Sequence, residues 1–256
     1  MNILITGAAS GIGYLTALTL AKRNHSVYLT CHTDLEVEII NDKIKDYENI
    51  TVLKIDVTDE EDRKTVLDLN VDCLISNAAI CQGGSIIEVD IDKMKDNFNV
   101  NVFSNFLLVR EVLKQMIEKD SGRIIMISSI ISSMPLAFAG IYSATKASVS
   151  NITYSLKKEL WLMGSNVEVA LVEPGLYHTG FNDILLDSKY NNGIYFSDIK
   201  KELYTVEHYV FNLLEKKELD SIVVQIIRAV EDKKLKKVYR APLLHVILSK
   251  LYGIIK

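Results

Sequence analysis

The feature that most constrains this chain is an alternation. Short runs of β-branched and leucine-rich residues, NILIT at the start, SVYLT (26–30), ITVLKI (50–55), VDCLIS (71–76), RIIMIS (123–128) and VEVALV (167–172), are separated by longer amphipathic stretches. Each run has the length of a strand and is apolar toward both faces. The stretches between them, among them Tyr14 to Arg23, Asp59 to Leu69, Asp92 to Glu118 and Ile141 to Met163, carry the helical period. Parallel neighbours need right-handed crossovers that lay helices over both faces of the sheet. The expectation is an α/β fold, a doubly wound parallel sheet of about seven strands in three layers. From Thr179 to about Asp232 the pattern loosens into helices rich in tyrosine and charge, followed by a last strand in KKVYRA and a terminal helix. No internal repeat, linker or low-complexity tract divides the 256 residues, and 48% apolar content suffices for one core. One domain is expected.

Composition excludes several classes of function. A formal charge of −4 from interspersed acids and bases, with no basic stripe, argues against nucleic acid as the main partner. Cys31, Cys73 and Cys81 form no Cys-x-x-Cys pair and the five histidines are isolated, so no metal site and no disulfide framework is expected. The opening MNILITG lacks a basic region and cleavage site, and no apolar run approaches the ~18 residues of a membrane span. The cytoplasm is the expected location.

The first strand ends in TGAASGIG, residues 6–13, and then turns helical. A strand that delivers glycines into a helix start leaves backbone N–H groups and the positive helix end facing outward. Glycine lets a pyrophosphate approach closely, so this turn reads as a phosphate-binding turn of Rossmann type, with a plain tight βα turn as the alternative.

The spacing Thr6-Gly7-x-x-x-Gly11-x-Gly13 resembles that of the short-chain dehydrogenase/reductase family, in its shorter single-domain branch. The resemblance continues downstream. Asp56-Val57 resembles the family's adenine-contacting pair, and Asn77-Ala78-Ala79 its Asn-Ala-Gly turn, with alanine for the glycine. Asn101, within FNVNVF, matches the asparagine of its catalytic tetrad, and Ser129 precedes Tyr142 by the family's interval of thirteen residues. Pro174-Gly175 with Thr179 matches the turn that holds the nicotinamide end. By this resemblance the cofactor contacts are Thr6, Gly7, Ser10, Gly11, Ile12, Gly13, His32, Asp56, Val57, Asn77, Ala78, Tyr142, Lys146, Pro174, Gly175 and Thr179. It also implies an NAD(P)-dependent oxidoreductase acting on a carbonyl or secondary alcohol, assembled as a homodimer or homotetramer. Residues 1–180 would form the cofactor-binding and catalytic core, 181–235 the substrate-capping helices, and 236–256 the last strand and helix. Two other readings stand beside it: a non-catalytic dinucleotide-binding redox sensor, and an epimerase or dehydratase of the extended branch.

The pattern Tyr-x-x-x-Lys occurs three times, at Tyr142/Lys146, Tyr154/Lys158 and Tyr252/Lys256. Only Tyr142 has a serine thirteen residues before it; Ile141 and Tyr239 occupy that place for the others. Tyr142 and Lys146 share a helix face, and a neighbouring ammonium favours phenolate, so Lys146 is expected to lower the pKa of Tyr142. Tyr142 then acts as general acid or base, Ser129 hydrogen-bonds the reacting oxygen, Lys146 holds the nicotinamide ribose, and Asn101 positions a water. Ser128, Ser132 and Ser133 rival Ser129, and Asn101 has the alternative of a merely buried amide.

Three expectations concern the periphery. The acid that selects NAD falls about 20 residues after the glycines; at the end of strand two this chain has Cys31 and then His32, with Asp34 beyond as a helix N-cap. NADP is therefore the expected cofactor, with His32 facing the 2′-phosphate and NAD also admitted. The aromatics Tyr177, Phe181, Tyr190, Tyr195, Phe196, Tyr204, Tyr209 and Phe211 pack a core or line an apolar substrate pocket. In the terminal helix Leu244, Ile247, Leu248, Leu251, Ile254 and Ile255 form one side, and His245, Ser249 and Lys256 the other. That stripe is expected to pack on its own domain or a second subunit, or, with Lys233, Lys234, Lys236, Lys237 and Arg240, to touch an anionic membrane surface.

Overall fold

The computed structural model describes residues 1–190 and 194–255, without the side chains of 190 and 253–255. The expectations placed on Tyr190, Ile254, Ile255 and Lys256 lie outside the described residues. Strands β1 (Asn2–Ile5), β2 (Ser26–Cys31), β3 (Ile50–Lys54), β4 (Cys73–Ser76), β5 (Arg123–Ile127), β6 (Glu168–Pro174) and β7 (Tyr239–Ala241) form one sheet in the order β3-β2-β1-β4-β5-β6-β7. Every pairing is parallel. This is the doubly wound Rossmann-type arrangement in three layers. The strand order reverses between β1 and β4, and the crevice beyond their carboxyl ends is where such sheets bind ligands.

Period-two alternation sends the strands' side chains to two cores. Ile3, Ile5 and Leu29 pack with α1 (Gly11–Lys22), α2 (Asp34–Lys43) and α9 (Asp220–Glu231) on one face. Leu4, Leu74, Ile124 and Met126 pack with α5 (Asn105–Glu118) and α6 (Gly140–Leu162) on the other. Both cores are closed, and fully burying each such side chain contributes about 1.5–3 kcal/mol.

The helical stretches differ from the sequence reading in two places. Asp59 to Leu69 is only a short α3 (Glu60–Lys64) followed by a tighter 3₁₀ turn, Thr65–Asp68. Asp92 to Glu118 is α4 (Ile91–Phe98) running into α5 through a wider π-type stretch, Asn99–Ser104. Such stretches re-aim side chains within a continuous helix and occur often at functional sites; this one carries Asn101.

Beyond β6 come α7 (Phe181–Tyr190) and α8 (Lys200–Leu214), and after β7 the terminal α10 (Leu243–Ile255). The faces of α10 correct one expectation. His245 is buried, whereas Leu244, Ile247, Leu248 and Leu251 are 56%, 46%, 37% and 50% exposed, so this part of the stripe is not covered by its own domain. The His245 ring clamps the helix instead: its Nδ1 accepts from the Leu176 N–H at 3.0 Å and its Nε2 meets the Leu214 carbonyl at 2.9 Å. Lys233, Lys234, Lys236 and Lys237 precede the amino end of β7, whereas α10 starts just beyond its carboxyl end. Arg240 is engaged with Glu173 at 2.6 Å. No helix of the described residues is long and apolar enough to cross a membrane.

Candidate active site

The turn from β1 into α1 forms the floor of the crevice. Gly7 has φ of +61°, and a Cβ there would stand 2.7 Å from the Ala78 Cα. At Gly13 a Cβ would meet the Asn77 side-chain nitrogen at 2.8 Å and the Gly7 carbonyl at 2.9 Å. Glycine is required at both places. Ser10, extended just before α1, makes no side-chain cap, so its hydroxyl does not occupy the first N–H groups of α1. Thr6 is buried beneath the turn: its Oγ1 accepts from the backbone N–H of Asn77 at 2.9 Å and of Ala78 at 3.0 Å. The Asn77 amide donates to the Thr6 and Gly7 carbonyls at 2.9 Å each. Thr6 and Asn77 thereby lock β1 to β4 across the switch point.

At the far end of the crevice, His32 follows β2, and its Nε2 lies 3.2 Å from the Asp56 carboxylate. Two backbone-directed bonds at the end of β2 were not foreseen. The Glu36 carboxylate accepts from the N–H of His32 at 2.7 Å and of Thr33 at 3.1 Å, while the Thr33 hydroxyl accepts from the N–H of Glu36. Thr33, not Asp34, is therefore the N-cap, and Asp34 opens the first turn of α2. Threonine capped reciprocally by glutamate satisfies two orphan donors, which an Asp34 cap one residue later would leave unmet. The Thr-x-x-Glu spacing was the available signal.

The reactive cluster lies where β5 meets α6. Ser129, extended after β5, accepts from the Ile131 N–H at 3.3 Å. Ser128 spends its hydroxyl on the Lys146 carbonyl and on Ser150, both at 2.8 Å. Ser132 turns to Glu173, and Ser133 to the Ile130 carbonyl. Ser129, whose hydroxyl donates to the Pro174 carbonyl at 3.5 Å, is the serine of this group that acts on the Tyr142 phenol, lowering its pKa. Tyr142 is buried, its ring 5.6 Å from that of Phe181. Lys146 is buried as well and donates to the Ile127 carbonyl at 3.1 Å.

The acidities differ from the sequence expectation. Burial pushes the Tyr142 phenol well above its ordinary value of 10.0, with the Cys81 sulfur adding to the rise and the Ser129 hydroxyl opposing it. Lys146 is itself pulled down to about 8 by burial. Its Nζ stands 5.8 Å from the centre of the Tyr142 ring and bonds a backbone carbonyl instead of the phenol. Desolvation therefore wins over the neighbouring charge, and Tyr142 is held as a protonated phenol.

Asn101 is spent on structure. Its side chain donates to the Ile80 carbonyl at 2.9 Å and the Thr145 hydroxyl at 3.1 Å, and accepts from the Ile80 N–H at 2.8 Å. It staples the turn after β4 to α6.

These elements enclose a cavity of about 810 Å³. Gly7, Ser10, Gly11, Ile12, Gly13, His32, Asp56, Val57, Asn77, Ala78, Ser129, Tyr142, Lys146, Pro174, Gly175 and Thr179 all line it; Thr6 and Asn101 stand behind the wall. Its other end is apolar, formed by Ile131, Met134, Leu136, Phe181, Leu185 and Phe211, with Gln82 as a polar point. Of the aromatics considered in sequence, Tyr177, Phe181 and Phe211 reach the cavity, whereas Tyr195 and Tyr209 are exposed. Phe196 packs on Phe138 and Tyr204 stacks on His208. His178 turns to Glu215 at 2.7 Å. Glu36, Cys81 and the Met134–Leu136 segment escaped the sequence reading, because only the fold brings them to the site. All three cysteines are free and buried, and no metal-binding cluster exists among the described residues.

A long crevice with a glycine floor that a Cβ would close, an uncapped helix start beneath it and a buried Tyr and Lys beside a half-buried Ser at one end fits a nicotinamide dinucleotide. The short chain dehydrogenase family profile matches residues 1–189. The chain is 32% identical over 187 residues to a 3-ketodihydrosphingosine reductase of Bacteroides thetaiotaomicron, spanning 71% of this chain and 65% of that protein. It is 34% identical over 187 residues to the 3-oxoacyl-[acyl-carrier-protein] reductase of Rickettsia prowazekii, spanning 71% and 75%. A Burkholderia phymatum short-chain dehydrogenase/reductase in complex with NAD has the same fold, with a TM-score of 0.83, 19% identity and coverage of 98% and 92% of the two chains. A Sphingobium yanoikuyae short-chain dehydrogenase in complex with NADPH gives 0.74, 23% identity, and 99% and 94%. The chain belongs to the short-chain dehydrogenase/reductase family of NAD(P)-dependent oxidoreductases.

Proposed function

We propose that this protein reduces a carbonyl on a largely apolar substrate, with Tyr142 as the proton donor and NADP(H) as the favoured cofactor. The observation that carries this is the buried Tyr142, lining the same cavity as half-buried Ser129, the glycine floor and the apolar residues. The bound nicotinamide supplies the hydride; the chain's residues manage geometry and the proton. A phenol kept protonated by burial can give its proton to the oxygen as negative charge develops there. The Ser129 hydroxyl steadies that oxygen in the manner of an oxyanion-hole donor. Lys146, positioned one helical turn from Tyr142, donates to the cofactor ribose. Asn101 acts through Ile80 and Thr145, as a positioning residue.

The choice of NADP rests on the absence of an acid at Cys31 and His32, and on relatives of the same fold in complex with NADPH; NAD remains admitted. The whole chain, 1–256, acts as one oxidoreductase domain located in the cytoplasm, with residues 181–235 within it as the substrate cap. Exposed Phe103, Leu107 and Ile152 support assembly as a homodimer or homotetramer through α5 and α6. A redox sensor would need no apolar chamber beside Tyr142. The test is turnover of a panel of ketones and aldehydes, followed at the reduced-nicotinamide absorbance, by wild type and Tyr142→Phe. Failure of wild type to oxidise either reduced cofactor with any of them, despite binding it, would favour the sensor.

A further inference from the structure

We infer that Glu36 sets the margin between the two dinucleotides, because its carboxylate holds the backbone amides on which a ribose 2′-phosphate would rest. The inference deepens the cofactor reading above and rests on it. In this fold a carboxylate about 20 residues after the glycine turn meets the ribose 2′-hydroxyl. No acid stands there in this chain, where β2 ends at Cys31 and His32 follows. The fold brings one back from the next helix. One Glu36 oxygen accepts from the N–H of His32 at 2.7 Å and of Thr33 at 3.1 Å, which lays the carboxylate over the end of β2. Glu36 and His32 both line the cavity.

Paired amides at a helix start suit a phosphate, and here a side chain of the same charge occupies them first. An incoming 2′-phosphate must displace that carboxylate or lie against it, and like charges a few ångströms apart repel. A 2′-hydroxyl meets the opposite situation, since it can donate to the second Glu36 oxygen, which the two amides leave open. His32 offers the phosphate little relief, because its imidazole is turned onto Asp56 at 3.2 Å. The preference for NADP is therefore held against Glu36, and removing its charge widens that preference.

Glu36→Gln is the informative change, since glutamine also completes a capping box with Thr33 and keeps α2 in place. Fluorescence titration of NADPH and NADH on wild type, Glu36→Gln and Glu36→Ala measures the effect, with thermal melts confirming the fold of each variant. NADPH is expected to bind at least about tenfold more tightly to Glu36→Gln. NADH should change by less than about threefold in Glu36→Gln and weaken in Glu36→Ala, which has no oxygen to offer the hydroxyl. An NADPH-to-NADH ratio unchanged in both variants overturns the role of Glu36 while leaving the cofactor reading intact. Absence of binding of either dinucleotide to wild type has a different signature and overturns both.

Discussion

Lys146→Met should make the ligand-free protein more stable while abolishing its activity. Lys146 is an ammonium carried into the interior with the Ile127 carbonyl as its hydrogen-bond partner, and burial pulls it from an ordinary 10.5 to about 8. That separation corresponds to about 3 kcal/mol of cost to the folded state at pH 7. Methionine is of similar length and removes the charge, but leaves the Ile127 carbonyl without its donor, which costs about 1 kcal/mol. The net expectation is a gain of about 2 kcal/mol near neutral pH. Below pH 8 both folded and unfolded chains hold the proton and the full cost applies. Between about 8 and 10.5 the unfolded chain keeps a proton that the folded chain has lost, so wild-type stability rises with pH and the gap to the variant closes. Urea denaturation of both proteins from pH 6 to 10, without cofactor, measures this directly. A variant less stable than wild type at pH 7, or a gap that does not change with pH, would refute the reasoning.

Tyr142→Phe should reduce turnover at least about 10²-fold while NADPH affinity stays within a few-fold, measured by steady-state kinetics and fluorescence titration. Tyr154→Phe, at a ring beneath the Lys237 ammonium and outside the cavity lining, should leave turnover at the wild-type level. Gly7→Ala forces a Cβ against the Ala78 backbone at a φ of +61°, so denaturant unfolding should show a loss of about 2–4 kcal/mol. Glu207→Ala strips the counter-ion from the fully buried Lys189 side chain, 3.1 Å away, and should cost about 3 kcal/mol by the same assay. His245 is lowered from 6.5 by burial, so its contribution is intact above pH 6.5 and is lost as pH falls below it. Thermal melts from pH 7.5 to 5 should therefore fall more steeply for wild type than for His245→Gln.

Much of this protein was determined by local pattern. The run-and-helix alternation specifies a parallel sheet, because strand and helix periods are local, and the interval between Ser129 and Tyr142 singles out one tyrosine of three through the resemblance to the family's spacing. Gly7 and Gly13 were legible as positions where the backbone itself must approach its neighbour. What the tertiary structure decided is burial and long-range contact. Lys146 sits one helical turn from Tyr142 as its spacing demands, yet the degree of desolvation, set by β5, the Cys81 loop and α7 packing around them, reverses the expected shift of the phenol. Glu36 reaches the end of β2 only because Thr33 caps the helix. The faces of α10 follow from a single clamp at His245, whose partners lie 69 and 31 residues away in the chain. Periodicity reports which residues share a side; which side is covered depends on partners that no local window contains.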